Sequence, residues 1–205
     1  MAEGSLRERK RERTRQAIVD AAVDLFERHG YEGTTIADIA AAADIGTRTF
    51  FSYFASKEEV LFPESDARVA AAVAAIATRG PGDRPADLLI RALTEIHADN
   101  TEMAGRAAML RLRLIPTVPA VRGRGLQLQL DAQLEIARHL REAFPDDLDA
   151  VQASALVGAF IGAVTGALRV LLDEPGALDD PQRLQRRMRE ATAAALRPWM
   201  SGNAR

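Results

Sequence analysis

The stretch IGTRTFFSYFASKEE, Ile45 to Glu59, decides how this chain is read. Four aromatic rings (Phe50, Phe51, Tyr53 and Phe54) fall within five positions of a chain that has only seven Phe, two Tyr and one Trp. Between Ile45 and Lys57 the charged residues are Arg48 and Lys57, and no acid is present. Phe50 and Phe54 are four apart and share one face of a helix. Arg48, Thr49, Ser52 and Tyr53 are left for the other face, and Phe51 for the rim between them. Such a short helix has an apolar face to pack and a polar, basic face to present. Reading the edges of DNA bases in the major groove requires that second kind of face.

The upstream sequence supplies a support. Ile18, Ala21, Ala22, Leu25 and Phe26 form one apolar stripe on a helix predicted over about 11–29, and Gly30 stops it. Thr35 and Asp38 have capping-box spacing for a second helix through about Ala43, whose Ile36, Ile39 and Ala40 face inward. A turn at Asp44-Ile45-Gly46 leads to the third helix, over about 47–53. Two short helices joined by a tight turn, after a longer first helix, make a helix-turn-helix spanning about 35–54. Downstream, Ser56-Lys57-Glu58-Glu59 reads as a capping box opening a fourth helix towards Thr78, with Pro63 expected to kink or break it between Glu59 and Pro63.

The remainder reads as helix throughout, over about 86–100, 104–115, 118–143, 148–172 and 181–199, separated by Gly and Pro. The fold class is therefore all-α. Two domains are expected: a three-helix bundle with the helix-turn-helix over 12–72, and a larger helical domain over 73–205. Zero Cys among 205 residues excludes a disulfide scaffold, a thiol nucleophile and Cys-based zinc sites, and suits a reducing cytoplasm. His29, His97 and His139 are scattered, and no metal-ligand or paired-carboxylate spacing appears. No catalytic residue, metal or cofactor is assigned, and the chain is not expected to be an enzyme.

Net charge is −2, so global charge does not argue for nucleic acid, but its distribution does. Residues 1–16 hold six basic and three acidic groups. Residues 1–60 as a whole hold nine basic against eleven acidic groups, which disfavours a nonspecific nucleoid-type DNA binder and favours a localised basic surface.

The run TRQAIVDAAVDLFERHGYEGTTIADIAAAADIGTRTFFSYFASKEEVL, about residues 12–62, resembles the DNA-binding domain of the TetR family of bacterial repressors. The resemblance rests on the "I..AA..LF...GY..TT" pattern of the first helix, "I.DIA..A" in the second, and "TFF.YF.SKE" after it. It implies that Thr35, Arg48, Thr49, Ser52, Tyr53 and Lys57 contact DNA. Thr35 and the Lys57 amide would meet phosphates at helix starts, and Lys57 would add a full charge. Thr49 and Tyr53 would touch the sugar-phosphate backbone, and Arg48 and Ser52 the base edges. Two positions depart from the family pattern. Asp44 stands where Gly is usual, and Gly46 replaces the usual Ser cap.

The resemblance also implies a homodimer on a palindromic double-stranded DNA operator, released by a small-molecule effector. SALVGAFIGAVTGALRVLL has 16 uncharged residues from Ala153 to Leu168, which falls short of the ~20 of a membrane span. Gly158, Gly162 and Gly166, four apart, leave a smooth stripe for another helix. With Leu184, Met188, Ala195 and Trp199 they are the expected dimer interface. Five arginines (106, 111, 113, 122 and 124) lie between Glu102 and Asp131 with no acid. They read either as a solvated face or as an anion site. The segment around them is similar to ligand domains of the mycofactocin-regulator type, which implies an acyl-CoA-like effector. The pocket candidates are Met103, Leu110, Arg111, Leu114, Phe160 and Val164.

Overall fold

The computed structural model describes residues 2–63, 65–95, 102–176 and 180–200, and all regular structure among them is helical. Among the described residues ten α-helices follow one another: α1 Ala2–His29, α2 Ile36–Ala42, α3 Thr47–Phe50, α4 Ser65–Ala77, α5 Pro85–Glu95, α6 Glu102–Leu114, α7 Pro119–Ala143, α8 Ala150–Leu172, α9 Pro181–Ala195 and α10 Arg197–Met200. A 3₁₀ turn, Glu58–Leu61, lies between α3 and α4. The all-α expectation and the order of elements hold. Several boundaries differ. The first helix begins about ten residues earlier, carrying the basic arm as continuous helix. The last helix stops at Ala195 and a separate turn follows.

The fourth helix is broken as its proline demands. Phe62 leaves helical geometry (φ −124°, ψ 48°), and α4 begins only at Ser65. Pro63 has no N–H to continue the ladder. The capping box expected at Ser56 does not form. The Glu59 carboxylate instead accepts the Ala55 N–H at 2.5 Å, and the segment closes as 3₁₀.

The chain divides into two compact units. The first comprises Met1–Pro63 with Thr101–Gly125, the second Glu64–Asn100 with Leu126–Arg205. The division differs from a single boundary at 72/73, because α6 and the start of α7 pack on the helix-turn-helix bundle. In the first unit the core is Ile18, Val19, Ala22, Val23, Phe26, Ile39, Phe50, Phe54, Val60 and Leu61. At Gly125 a Cβ would lie 3.3 Å from the Phe62 ring, so a side chain here would require that ring to give way by a few tenths of an ångström.

In the second unit Leu88, Leu89, Leu140, Phe144, Leu156 and Met188 are fully buried in one cluster. Each such side chain contributes roughly 1.5–3 kcal/mol relative to exposure. Helix α8 is capped at Asp149, whose carboxylate accepts the Gln152 N–H while the Gln152 side chain accepts the Asp149 N–H. It is long and apolar enough to cross a bilayer, which corrects the expectation that the stretch falls short: the charge-free run starts at Ala150 and the helix has 23 residues. Only one face is committed to the core, through Ala153, Leu156, Val157, Phe160, Leu171 and Leu172.

Candidate nucleic-acid interface

The helix-turn-helix is built from local rules. Thr35 caps α2: its hydroxyl accepts the Asp38 N–H at 3.2 Å, and the Asp38 carboxylate takes the Thr35 N–H at 2.9 Å. The turn runs through Asp44 in the left-handed region, φ 54°, which Asp tolerates better than most residues. The Ile45 N–H bonds to the Ala40 carbonyl at 2.9 Å and closes the turn. Gly46 is the N-cap of α3 without a side-chain bond. Helix α3 proper is a single turn, tightened at its end by bonds from Ser52 to Thr49 and from Tyr53 to Phe50.

Within that frame the aromatic stretch separates as its spacing predicts. Phe50 and Phe54 are 0% and 1% exposed, with ring centroids 5.9 Å apart. Phe51 stands edge-on to Phe50 and is 56% exposed, at the rim. Arg48, Thr49 and Ser52 are exposed together on the outer face, and Tyr53 is half-buried beside them. The Ser52 hydroxyl donates to the Thr49 carbonyl at 2.6 Å, leaving its oxygen as an acceptor. The Arg11 guanidinium of α1 lies 5.7 Å from the Tyr53 ring centroid. The basic side of α1, carrying Arg7 and Arg11, is therefore beside the recognition segment. Arg15 anchors the same helix by donating to the Pro63 carbonyl at 2.9 Å and stacking on Phe54.

Two residues expected to meet phosphates have their side chains engaged within the protein. The Lys57 ammonium donates to the Tyr31 and Thr34 carbonyls at 2.7 and 2.9 Å and sits 4.0 Å from the Tyr31 ring centroid. It ties down the loop before α2 and does not point outward. The Tyr31 hydroxyl completes the knot by donating to Glu58 at 3.3 Å; burial, and then the Glu58 charge, push that phenol well above its ordinary value. Thr35 is likewise a cap, with its hydroxyl and amide both paired to Asp38. That pairing, the Thr35 hydroxyl first, holds the Asp38 carboxyl below the usual range. Nothing in the sequence announces the knot, whose partners are 23 to 27 residues apart.

The arginines of 106–124 are the larger surprise. Arg111 is 6% exposed, donates to the Leu61 carbonyl at 2.9 Å and lies over the Phe62 ring. The guanidinium fastens α6 to the end of the 3₁₀ turn. Arg106 bridges Glu27 and Asp24 of α1, and both bonds push its already high pKa further up. Arg124 pairs with Glu59. Arg113 and Arg122 are exposed.

Leu110 and Leu114 are in the first unit, Phe160 and Val164 in the core of the second, and the side chain of Met103 is outside the described residues. In the second unit an open groove of about 490 Å3 runs between α4 and α7, floored by Val69, Val73 and Leu128 and flanked by Asp66, Asp131 and Glu135.

Of the expected interface residues, Met188 is 1% exposed and belongs to the core of its own chain, which removes it from any surface. Leu184 and Trp199 are half-buried against the same core. Ala195, Gly162 and Gly166 are exposed, and a Cβ at either glycine meets nothing. Gly158 is covered in part by Gln133 of α7, whose amide also donates to the Ser154 carbonyl.

Comparison with known proteins gives a consistent picture. Residues 18–62 match the family described as bacterial regulatory proteins, tetR family. Over 149 residues the chain is 32% identical to the transcriptional regulator TcmR of Streptomyces glaucescens, covering 70% of this chain and 66%, just under two thirds, of that one. A Mycobacterium tuberculosis regulator named MftR is 44% identical over 52 residues, about a quarter of each chain. Among solved structures, the TetR-family repressor FadR of Thermus thermophilus, determined with lauroyl-CoA, superposes with a TM-score of 0.53 at 21% identity, covering 93% of this chain and 95% of its own.

Proposed function

Since the chain belongs to the TetR family of bacterial regulators, we propose that it is a cytoplasmic, sequence-specific transcriptional repressor that binds a palindromic operator as a homodimer and is released by a small molecule. One observation carries the DNA-binding part. Phe50 and Phe54 are buried, and the same turn of helix turns Arg48, Thr49 and Ser52 outward. Arg48 and Ser52 face base edges, Thr49 and Tyr53 the backbone, and Arg7 and Arg11 add phosphate contacts from α1. Lys57 and Thr35 shape the module from behind. One such helix reads too few bases for a genome, and a two-fold pair reads two half-sites. The outer face of α8, uncharged up to Arg169 and carrying Gly162 and Gly166, supports self-association there.

The effector is a small, largely apolar molecule. What supports an acyl-CoA-like class in this chain is reduced to the exposed Arg113 and Arg122, because Arg106, Arg111 and Arg124 hold the first unit together. The carboxylates beside the α4–α7 groove oppose an anion there.

Incubating the protein with genomic fragments, sequencing what is retained and repeating with acyl-CoAs and neutral lipophiles tests the reading. Enrichment of one palindromic motif, lost with one effector class, is expected. Retention without any enriched motif would leave the nucleoid-type alternative standing.

A further inference from the structure

The open groove of about 490 Å3 between α4 and α7 lies wholly within the second unit. Each helix turns one face towards it. Asp66, Val69 and Val73 line it from α4 at i, i+3 and i+7, and Leu128, Asp131 and Glu135 line it from α7 at the same spacing. Val69, Val73 and Leu128 are only half-buried, so apolar surface remains to be covered. No lysine or arginine lines the groove among the described residues. Its volume falls in the range of small-molecule sites, about 300–1,000 Å3.

We propose that this groove binds a lipophilic organic cation, a molecule with an apolar body and one quaternary or delocalised positive charge. The inference rests on the reading of the chain as effector-controlled and deepens it by naming the class of effector.

The floor by itself accepts any lipophile, since burial of apolar area does not depend on the ligand's charge. The walls choose among them. Among the described residues neither Asp66 nor Asp131 forms an ion pair, and both are exposed to water. A ligand lying on the floor takes water from these carboxylates, which costs free energy unless a counter-charge arrives with it. An anion adds repulsion to that cost, and a neutral molecule leaves it uncompensated. A cation offsets it. A quaternary or delocalised charge also has no N–H groups that would need directed acceptors from the half-buried valines and leucine.

The three carboxylates are not equivalent. Glu135 is already engaged: Arg138 donates to it at 2.9 Å and the His139 ring lies at 3.0 Å, and these two, Arg138 first, hold its carboxyl below the usual range. Asp66 stands in the first turn of α4, where it offsets the positive end of that helix. Asp131 lies in the middle of α7 with neither role, which makes it the principal counter-ion.

Tetraphenylphosphonium and tetraphenylborate share one shape and carry opposite charge, so together they separate charge from apolar area. In calorimetric titration of the full chain, the phosphonium should bind at least tenfold more tightly than the borate. Asp131→Asn should weaken the phosphonium about fivefold, and Asp66→Asn combined with it about tenfold, as loss of one exposed ion pair each would do. Neither change should weaken the borate. Asp146→Asn, an exposed carboxylate in the turn after α7, should alter nothing. The phosphonium should also release retained operator fragments, less effectively from the double variant. Equal affinity for the two ions, or an unchanged phosphonium affinity in the double variant, overturns the inference. So does binding of neither ion, the outcome if a second copy of the chain covers the groove. Release by neutral lipophiles or acyl-CoAs but not by the phosphonium overturns the cation class and leaves the effector reading standing. Release by no lipophile of any charge overturns both.

Discussion

Residues 45–57 and residues 103–130 are alike on paper. Each is an acid-poor stretch carrying arginine or lysine beside apolar residues, and each invites the reading that its cations await an anion. The fold treats them in opposite ways. In the first, Arg48 stays on the exposed face, because Phe50 and Phe54 fix which side of the helix is buried. In the second, Arg106, Arg111 and Arg124 reach back to α1, the Leu61 carbonyl and Glu59, and become internal fastenings of the same unit. An uncompensated charge in sequence is compensated in space whenever an acid or a carbonyl end from elsewhere is brought to it. Periodicity settles the question for a short helix with an aromatic face. It cannot settle it for a residue whose partner is 50 positions away.

The largest effect expected is at Arg111. Replacing it with Leu removes a buried guanidinium and leaves the Leu61 carbonyl without its donor, at a cost of up to about 3 kcal/mol. Arg113→Ala should stay within about 0.5 kcal/mol, as surface changes usually do. Urea titrations of both variants check the contrast. Equal midpoints would mean that Arg111 holds nothing and is free for a ligand.

Next is Arg48. Its replacement by Ala should cost about 2 kcal/mol on the operator and also flatten the preference at one base pair, as loss of a bidentate Arg–guanine contact does. Thr49→Val should weaken all sequences alike. Anisotropy curves on the operator and on single-base variants separate the two. A uniform loss for Arg48→Ala would make it a phosphate contact.

Lys57 sharpens the comparison, because it lies in the first stretch and behaves like a residue of the second. Lys57→Met should lower stability by about 1.5 kcal/mol, the low end for hydrogen bonds from a charged group that is only part-buried. It should leave the dependence of operator affinity on salt unchanged. A phosphate-neutralising lysine would instead reduce that slope by about one. A reduced slope with normal stability would restore the phosphate role.

What could be read from sequence follows the range of the interactions. The cap at Thr35, the left-handed Asp44, the burial of Phe50 and Phe54 and the break at Pro63 are all decided within a few residues, and they appear as expected. The Tyr31–Lys57–Glu58 knot and the α6 fastenings depend on tertiary approach and left no local mark. Met188 fell between the two. Its helical spacing correctly gave it an apolar face, but not whether that face meets its own chain or a second one.

The smallest effect tests the cap. Thr35→Ala should cost about 1 kcal/mol, the usual value for losing a hydroxyl N-cap. If Thr35 only caps, operator affinity measured well below the melting range should match the parent's. Its pH behaviour identifies the mechanism. The Asp38 carboxyl is held below its ordinary value by the Thr35 hydroxyl and amide, so its folded-state pKa lies beneath its unfolded one. A depressed carboxylate contributes stability that is present above the unfolded value, about 3.9, and is lost as pH falls through the folded value. The cap is therefore intact at neutral pH and weakens only in acid. Thr35→Ala should unfold less steeply below about pH 4 than the parent, since one of the bonds that depress Asp38 is gone. Asp38→Asn should flatten that limb further. An acid limb identical in all three proteins would show that the bond pair does not persist in solution and would return Thr35 to the list of residues free to meet a phosphate.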